Sequence, residues 1–429
     1  MAKNFSLNQC ALFPAEVNPV LEAEFPMLAG VQSIDYYESI LSPSISVQVK
    51  ILDVDGNLSA KGVYGGEKLA IKIVAGKDSE LEDFVITPED HELILNSIKD
   101  ITSGVKQQTV TLQFVSKDLI KNETAKINRR YVGNITDSVK KILGGPDVKE
   151  PDIKGINTTK TLESHRASNN YAFVGNRHNA FDLIQRLQPK AGGAGYDDKK
   201  KSDYGFLFFE TFDGYHFKSF RTLFEPEPET EYVKSEISGT DDFVIDNYNF
   251  SSGNDVVLNL KSGLYNNETT FVELDKTKIT KIKFNMDETE DLTLKPPKVP
   301  VNVEGKPSRI MLRVADTGVH QHYEENSSKL KDVQPFTDLA VYQNKSYARF
   351  SLLNSQSLNI TIGMNPSLRA GQTIRVKFPT IDYIAEFGDE NSKDISGKYL
   401  ISHLRHEFEG GKFRTHLRLI RDLFTPENA

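Results

Sequence analysis

The chain has 429 residues, 38% of them apolar and 26% charged, with a formal net charge of −8. That length exceeds one ordinary core and calls for roughly two to four domains, while the acidic balance excludes a general nucleic-acid binder, whose phosphate contacts demand an excess of Lys and Arg. The single cysteine, Cys10, excludes an internal disulfide framework and a thiolate-rich zinc site.

No apolar run approaches the roughly 18 residues of a membrane span. Residues Met1 to Ser6 do not lead into the apolar stretch of a signal peptide, so synthesis in a cytoplasm is expected. Cys10 is expected in an N-terminal tail. From Ser44, the residues Ile45, Val47, Val49 and Ile51 alternate with Ser46, Gln48 and Lys50, the pattern of a half-buried strand. Asp53 to Asn57 supplies a turn; it begins like a calcium loop, but Tyr64 stands where a bidentate Glu would be needed. Further strands are expected at Lys68 to Val74, Glu92 to Ile98 and Thr109 to Val115, so residues 42 to 118 read as a small antiparallel β-barrel.

The period then changes. Ile135, Val139, Ile142 and Leu143 fall at helical spacing behind caps at Asn134 and Thr136, and Gly144-Gly145-Pro146 ends the run. A second helix starts near Asn176 or Asn179, turns Phe181, Ile184 and Leu187 inward and stops at Pro189. Gly192 to Gly195 forms a loop without the Gly-Lys-Ser/Thr ending of a phosphate cradle. Asp213-Gly214 joins two aromatic-rich strands, Phe206 to Thr211 and Tyr215 to Phe220, whose rings are expected in a core. Glu225-Pro226-Glu227-Pro228-Glu229 is an acidic, proline-stiffened linker. Strands are expected again at Phe243 to Phe250, Val256 to Leu260, Ile279 to Phe284, Arg349 to Leu353, Leu358 to Ile362 and Ile374 to Phe378, with a proline-rich extended stretch from Asp287 to Lys306. The C-terminal hairpin turns at Gly410-Gly411 and pairs Glu409 with Lys412, which sets Leu404 opposite Leu417 and Phe408 opposite Phe413 on one face. The other face collects His403, Arg405, Arg414, His416 and Arg418.

Two distant stretches share one offset. Gly66 to Ile73 matches Gly371 to Phe378, and Leu112 to Val115 matches Leu417 to Ile420, each pair 305 residues apart. Because strand side chains repeat every two residues, a common offset keeps the same positions facing the core, as expected if one β-unit is built twice.

No Gly-x-Ser-x-Gly elbow is present and Cys10 has no His partner in view, so no catalytic nucleophile is expected. The pair His403 and His416, and the pair His320 and His322, lack the further ligands a metal needs, and neither a metal nor a cofactor is expected. The basic hairpin face, continued by Arg375 and Lys377, is the candidate interface or channel-facing set: Arg375, Lys377, Arg405, Arg414, His416 and Arg418. Two other readings stay open on the residues alone: a peptidoglycan-degrading enzyme working with a carboxylate pair, and a receptor- or glycan-binding protein with an exposed aromatic patch.

Leu368 to Gln372, the strand ending at Phe378-Pro379, Ser396 to His403 and the hairpin to Arg421-Asp422 together resemble the baseplate hub proteins of contractile-tailed, T-even-like bacteriophages. Tyr131 to Val139 is similar to their barrel-to-insertion junction, and Asn179 to Ile184 with the Phe-rich hairpin is similar to their middle domain. The resemblance implies a mainly β fold with an α+β insertion: two similar antiparallel β-barrel tube domains and a mixed α/β middle domain. The corresponding boundaries are 1–125 for the first barrel with its N-terminal arm, 126–225 for the insertion, 226–290 with 340–429 for the second barrel, and 291–339 for an extended linker. It further implies a structural, non-enzymatic homotrimer in the virion's tail baseplate, adapting a sixfold tail tube to a threefold central spike. Tube, spike, wedge and tape-measure proteins would be its partners, with DNA only in transit during genome ejection.

Overall fold

The computed structural model describes residues 5–17, 19–54, 56–76, 81–104, 107–192, 204–234, 243–252, 256–273, 277–285, 306–314, 321–323, 330–332, 339–352, 356–378 and 395–421. Most of the proline-rich stretch, the loop residues Gly193 to Gly195, and His320 lie outside them.

Alternating sequences produce long strands. In the N-terminal unit these are β1 (Ser6–Phe13), β2 (Val31–Ser39), β3 (Ser46–Val54), β4 (Lys68–Val74), β5 (Phe84–Ile86), β6 (Leu93–Ser103) and β7 (Gln107–Ser116). An inserted hairpin follows, β8 (Phe206–Thr211) and β9 (Gly214–Ser219), and then β10 (Glu231–Val233) and β11 (Ile245–Ser252). A separate three-stranded sheet holds β12 (Asn266–Glu273), β13 (Lys278–Asn285) and β14 (Arg309–Val314), with β12 central. The C-terminal unit adds β15 (Gln356–Gly363), β16 (Thr373–Lys377), β17 (Gly397–Glu409) and β18 (Lys412–Ile420).

One large sheet runs in the order β11-β15-β18-β17-β2-β3-β7-β6-β4-β1, with β16 also on β17, β10 on β16 and β5 on β4. The sheet rolls over its apolar face at both ends. Tyr36 of β2 lies edge-on to Phe84 of β5 at 5.2 Å between ring centres, although the two strands are far apart in the order. Phe25–Pro26 pairs with β1 and leads through Leu28–Gly30 into β2, which closes the first barrel along the chain. In the second, β10 runs parallel to β16 and bridges Val244 from Val233, just before β11.

The expected repeat is present rung by rung. Lys68, Ile94 and Val115 lie across β4, β6 and β7 as Thr373, Leu400 and Ile420 lie across β16, β17 and β18. The Gly66 amide donates to Leu95 O at 2.9 Å, and the Gly371 amide to Ile401 O at 2.8 Å. The return bonds, Leu95 N to Glu67 O and Ile401 N to Gln372 O, match at 2.8 and 2.9 Å. Both glycines sit at positive φ, +93° and +89°, where a side chain is strained. The irregularities repeat too: the register slips at Leu95/Ser97 and at Ile401/His403, and again at Val31/Ser33 and at Ile245/Asn247. Five strands of each unit therefore correspond, β2-β3-β7-β6-β4 to β11-β15-β18-β17-β16. Bulges are built features of a strand, so shared bulges are stronger evidence of one plan than shared alternation.

The insertion packs helices Lys117–Thr124, Ile135–Leu143 and Ala180–Leu187 against a small sheet in which Leu162–Ser164 runs parallel to β9, and β9 antiparallel to β8. Asn134 caps the second of these helices by accepting from the Thr136 amide, as its sequence anticipates. Strand β8 is buried on both faces. Phe206 and Phe208 fill the insertion's own core, while Leu207 and Phe209 join Ile40, Leu223, Ala370, Leu400 and Ile420 in a cluster that binds the insertion to both β-units.

Several local expectations are corrected. Cys10 is not in a tail: it lies in β1, 1% exposed, and burial pushes its thiol up to about 12. Asp53 accepts from the Asn57 amide and starts a one-turn helix, Asn57–Ala60, where a turn is expected. Val256 to Leu260 belongs to a helix, Val256–Ser262, and Arg349 to Leu353 overlaps the end of the helix Leu339–Leu352; short apolar runs carry no period that separates the two states. Arg309–Val314, within the expected extended linker, pairs in parallel with β12. The inserted hairpin turns at Phe212-Asp213, one residue before the expected Asp213-Gly214, since Thr211 already pairs with Gly214. Among the elements not expected from the sequence are the strands β2 and β12 and the helix Lys117–Thr124.

Candidate functional site

The side of the sheet turned away from the barrel cores forms one continuous polar surface. Strand pairing lays it out in transverse rows. One row runs Arg414, Glu407, Asp35, Gln48, Gln113, Ser97 across β18, β17, β2, β3, β7 and β6. The next runs Lys412, Glu409, Ser33, Lys50, Thr111, Lys99. These outward positions alternate with the core residues Leu404, Leu417, Ile34, Val49 and Leu112, so the polar face is the obligatory reverse side of the buried one. A groove of about 720 Å³ on this face is lined by Asn247, Asn249, Asn359, Thr361, His403, Arg405, His416 and Arg418 together with Tyr37 and Gln48. A second, of about 540 Å³, continues over Asp35, Lys50, Asp100, Thr102 and Thr111.

The hairpin register holds as expected, with Leu404 opposite Leu417 and Phe408 opposite Phe413. Of the six candidate residues, Arg405, His416 and Arg418 line the larger groove, and Arg414 stands in the row beside Glu407. Arg375 and Lys377 are elsewhere. Arg375 reaches Glu227 of the acidic linker at 3.4 Å, helped by Lys398 at 3.6 Å, and Lys377 reaches Glu231 of β10 at 2.7 Å.

The face is also less basic than the hairpin sequence alone suggests. Glu407 shares it and accepts from Arg405 at 2.6 Å and from His416 at 3.0 Å, while Arg405 also binds Asp35 at 2.8 Å. Partial burial pushes the Glu407 carboxyl up, but the His416 hydrogen bond and the Arg405 and Arg414 charges outweigh it and leave it below the usual range. Burial holds Asp35 above its usual range, opposed by Arg405. His416 Nδ1 meets Thr361 Oγ1 at 3.0 Å, so both ring nitrogens are engaged in the sheet. Carboxylates that follow arginines across a strand pair neutralise them locally, and a charge count over one hairpin misses a partner such as Asp35, some 370 residues away.

Two buried carboxylates tie the polar-faced sheet to the insertion. Glu38, 2% exposed, accepts from Tyr36 Oη at 2.8 Å, from the Phe212 amide at 2.7 Å and from the Ala370 amide at 2.8 Å, so one side chain joins both β-units to the insertion. Burial pushes it up to about 7 despite those donors and Arg369. Glu210 accepts from the Ile45 amide and Ser116 Oγ, each at 3.0 Å, and pairs with Lys160. Burial raises it as well, against the Lys160 charge. Neither is legible in the sequence, because a lone acidic residue in an alternating strand carries no sign of which face it occupies.

Over its whole length the chain has the fold of phage-type tail proteins. It superposes on the tail protein from Neisseria meningitidis MC58 with a TM-score of 0.51 at 13% identity, covering 99% of each chain. It likewise matches the 43 kDa tail protein of prophage MuSo2 from Shewanella oneidensis, TM-score 0.52 at 9% identity, covering 97% of this chain and 100% of that one. No family model and no curated protein matches the sequence.

Proposed function

We propose that the protein is a structural hub subunit of a phage tail baseplate, which assembles as a homotrimeric ring, adapts a sixfold tail tube to a threefold central spike and surrounds the channel for genome ejection. The observation that carries this reading is the twice-built β-unit on one continuous sheet. Three chains that each hold two near-equivalent units present six similar modules while obeying threefold symmetry, which is what a junction between sixfold and threefold parts requires. The long-range likeness to tail proteins and the hub-like motifs of the sequence point the same way.

In this reading the polar sheet face is the channel wall. Its Ser, Thr, Asn and Gln positions wet the lumen, and Asp35 and Glu407 engage Arg405, so part of the local positive charge that would hold a nucleic acid by counterion release is neutralised within the sheet. Tube, spike, wedge and tape-measure proteins are the partners, and the role is assembly and passage, not catalysis. Glu38 and Glu210 serve as ties between domains, since each is engaged by backbone and side-chain donors.

The test is a mass measurement by light scattering together with negative-stain images. A particle of three times 48.2 kDa with a central opening is expected. A protein that stays monomeric at every concentration, with or without a spike partner, overturns the proposal.

A further inference from the structure

Inside the chain, the two β-units are joined by one antiparallel strand pair, in which the distal half of β17 takes up β2 from His403 opposite Ser39 to Glu409 opposite Ser33. The repeat assigns each partner a counterpart. By their shared rungs, Ser97, Ile98 and Lys99 of β6 correspond to His403, Leu404 and Arg405. In the same way Tyr248, Asn249, Phe250 and Ser251 of β11 correspond to Ile34, Asp35, Tyr36 and Tyr37 of β2. Yet these counterparts are not joined. Among the described residues, the distal half of β6 pairs only with β7, and β11 from Asn247 onward pairs only with β15.

Burial marks the difference. At the internal junction Leu404, Ile34 and Tyr36 are 1%, 2% and 1% exposed. Their counterparts are open: Tyr248 is 43% exposed, while Ile98 and Phe250 are only half-buried, each with its side chain on the apolar side of an edge strand. Unpaired edges with uncovered apolar residues invite another strand.

We infer that β6 of one copy pairs with β11 of a second copy, repeating between chains the β17-to-β2 junction found within one. The transferred register sets Lys99 opposite Ser251 and Thr102 opposite Asn249 of the neighbouring copy. The contact is head-to-tail: each chain offers one β6 edge and one β11 edge, so copies link in sequence and stop only when a ring closes. It continues the polar face across the boundary, since Lys99, Thr102, Asn249 and Ser251 all belong to that side. This inference rests on the ring reading above and supplies its subunit contact.

Cysteine cross-linking tests it, because directly opposed strand positions bring Cβ atoms within about 5 Å, close to disulfide reach. Cys10 is buried in the core and stays in place. Under mild oxidation, a mixture of Lys99→Cys and Ser251→Cys proteins is expected to shift on a non-reducing gel from 48.2 kDa to twice that mass, while neither variant links alone. A chain carrying both substitutions is expected to form a covalently closed ring. Both sites are exposed edge positions, and hydrogen exchange on the unsubstituted protein gives an independent readout: amides of 97–103 and 247–252 gain protection on assembly. An assembly of the right mass in which the mixture does not link, or in which Lys99→Cys links to itself, overturns this contact and leaves the ring standing. Absence of any assembly overturns both.

Discussion

The two β-units share five strands and two bulges, while a further bulge at Lys99/Thr102 in β6 has no counterpart in β17 and the borders differ. In the N-terminal unit β2 is paired on both sides, by β3 and β17, and its core-facing Ile34 and Tyr36 are sealed. In the C-terminal unit the matching strand β11 is paired on one side, by β15, among the described residues, and Tyr248 remains exposed. The sixth strand also differs, since β1 runs antiparallel to β4 whereas β10 runs parallel to β16. Rungs inside a sheet are held by packing on both neighbours, whereas a border strand answers to whatever lies beside it. The divergence therefore falls where the chain meets its insertion and where copies would meet.

The insertion treats the units differently as well, and this gives the largest expected effect. Its tie to the N-terminal unit runs through Glu210, which accepts from the Ile45 amide and Ser116 Oγ, so Glu210→Ala unties both and leaves the nearly buried Lys160 ammonium with only the Ser116 hydroxyl, an expected cost of about 3–5 kcal/mol in denaturant unfolding. A smaller loss would mean that the apolar cluster around Phe209 and Ala370 holds the insertion by itself. The repeat itself is tested by Leu112→Ala and Leu417→Ala, equivalent positions 0% and 2% exposed, each expected to cost about 3 kcal/mol. Costs differing by more than about 2 kcal/mol would show that the two cores do not tolerate a cavity alike.

Glu38 brings both units together and supplies a pH test. Its carboxyl titrates at about 7 when folded and at 4.5 in the unperturbed group, so between these values the folded state holds more proton and stability falls as pH rises. Over pH 5 to 8 the stability of the wild type relative to Glu38→Gln is expected to drop, by at most about 3 kcal/mol, a difference that cancels the other titrating groups. A flat difference would place the Glu38 carboxyl in its ordinary range. The smallest effect compares two glycines. Gly371→Ala drives a Cβ to 2.8 Å from Phe209 Cζ at a strained φ, whereas Gly66→Ala meets only Ala15 Cβ at 3.4 Å. Both pay the conformational cost of a positive φ, and Gly371→Ala is expected to lose about 1–2 kcal/mol more in melting experiments.

Much of each barrel was legible in the chain. The alternation is regular in β3 and in β7 up to Phe114, and the turn at Gly410-Gly411, both at positive φ, sets the register of β17 and β18. Strand β2 was not legible, for a definable reason. A bulge between Val31 and Ser33 breaks its period, and the buried Glu38 sits where an apolar residue would complete the pattern. The four candidates Arg405, Arg414, His416 and Arg418 were found together because neighbours in a hairpin are neighbours in sequence. Strand parity alone groups Arg375 and Lys377 with them, although Glu227 of the linker and Glu231 of β10 claim them.

By itself, the sequence determined the local periods, the turns and the 305-residue offset, because each depends only on side chains a few residues apart or on one pattern written twice. Only the tertiary structure decided which strands stand side by side, which carboxylates are buried between domains, and which edges are left open. Those outcomes depend on contacts between residues hundreds of positions apart, such as Glu38 with Ala370 and Arg405 with Asp35, and no local pattern encodes the partner.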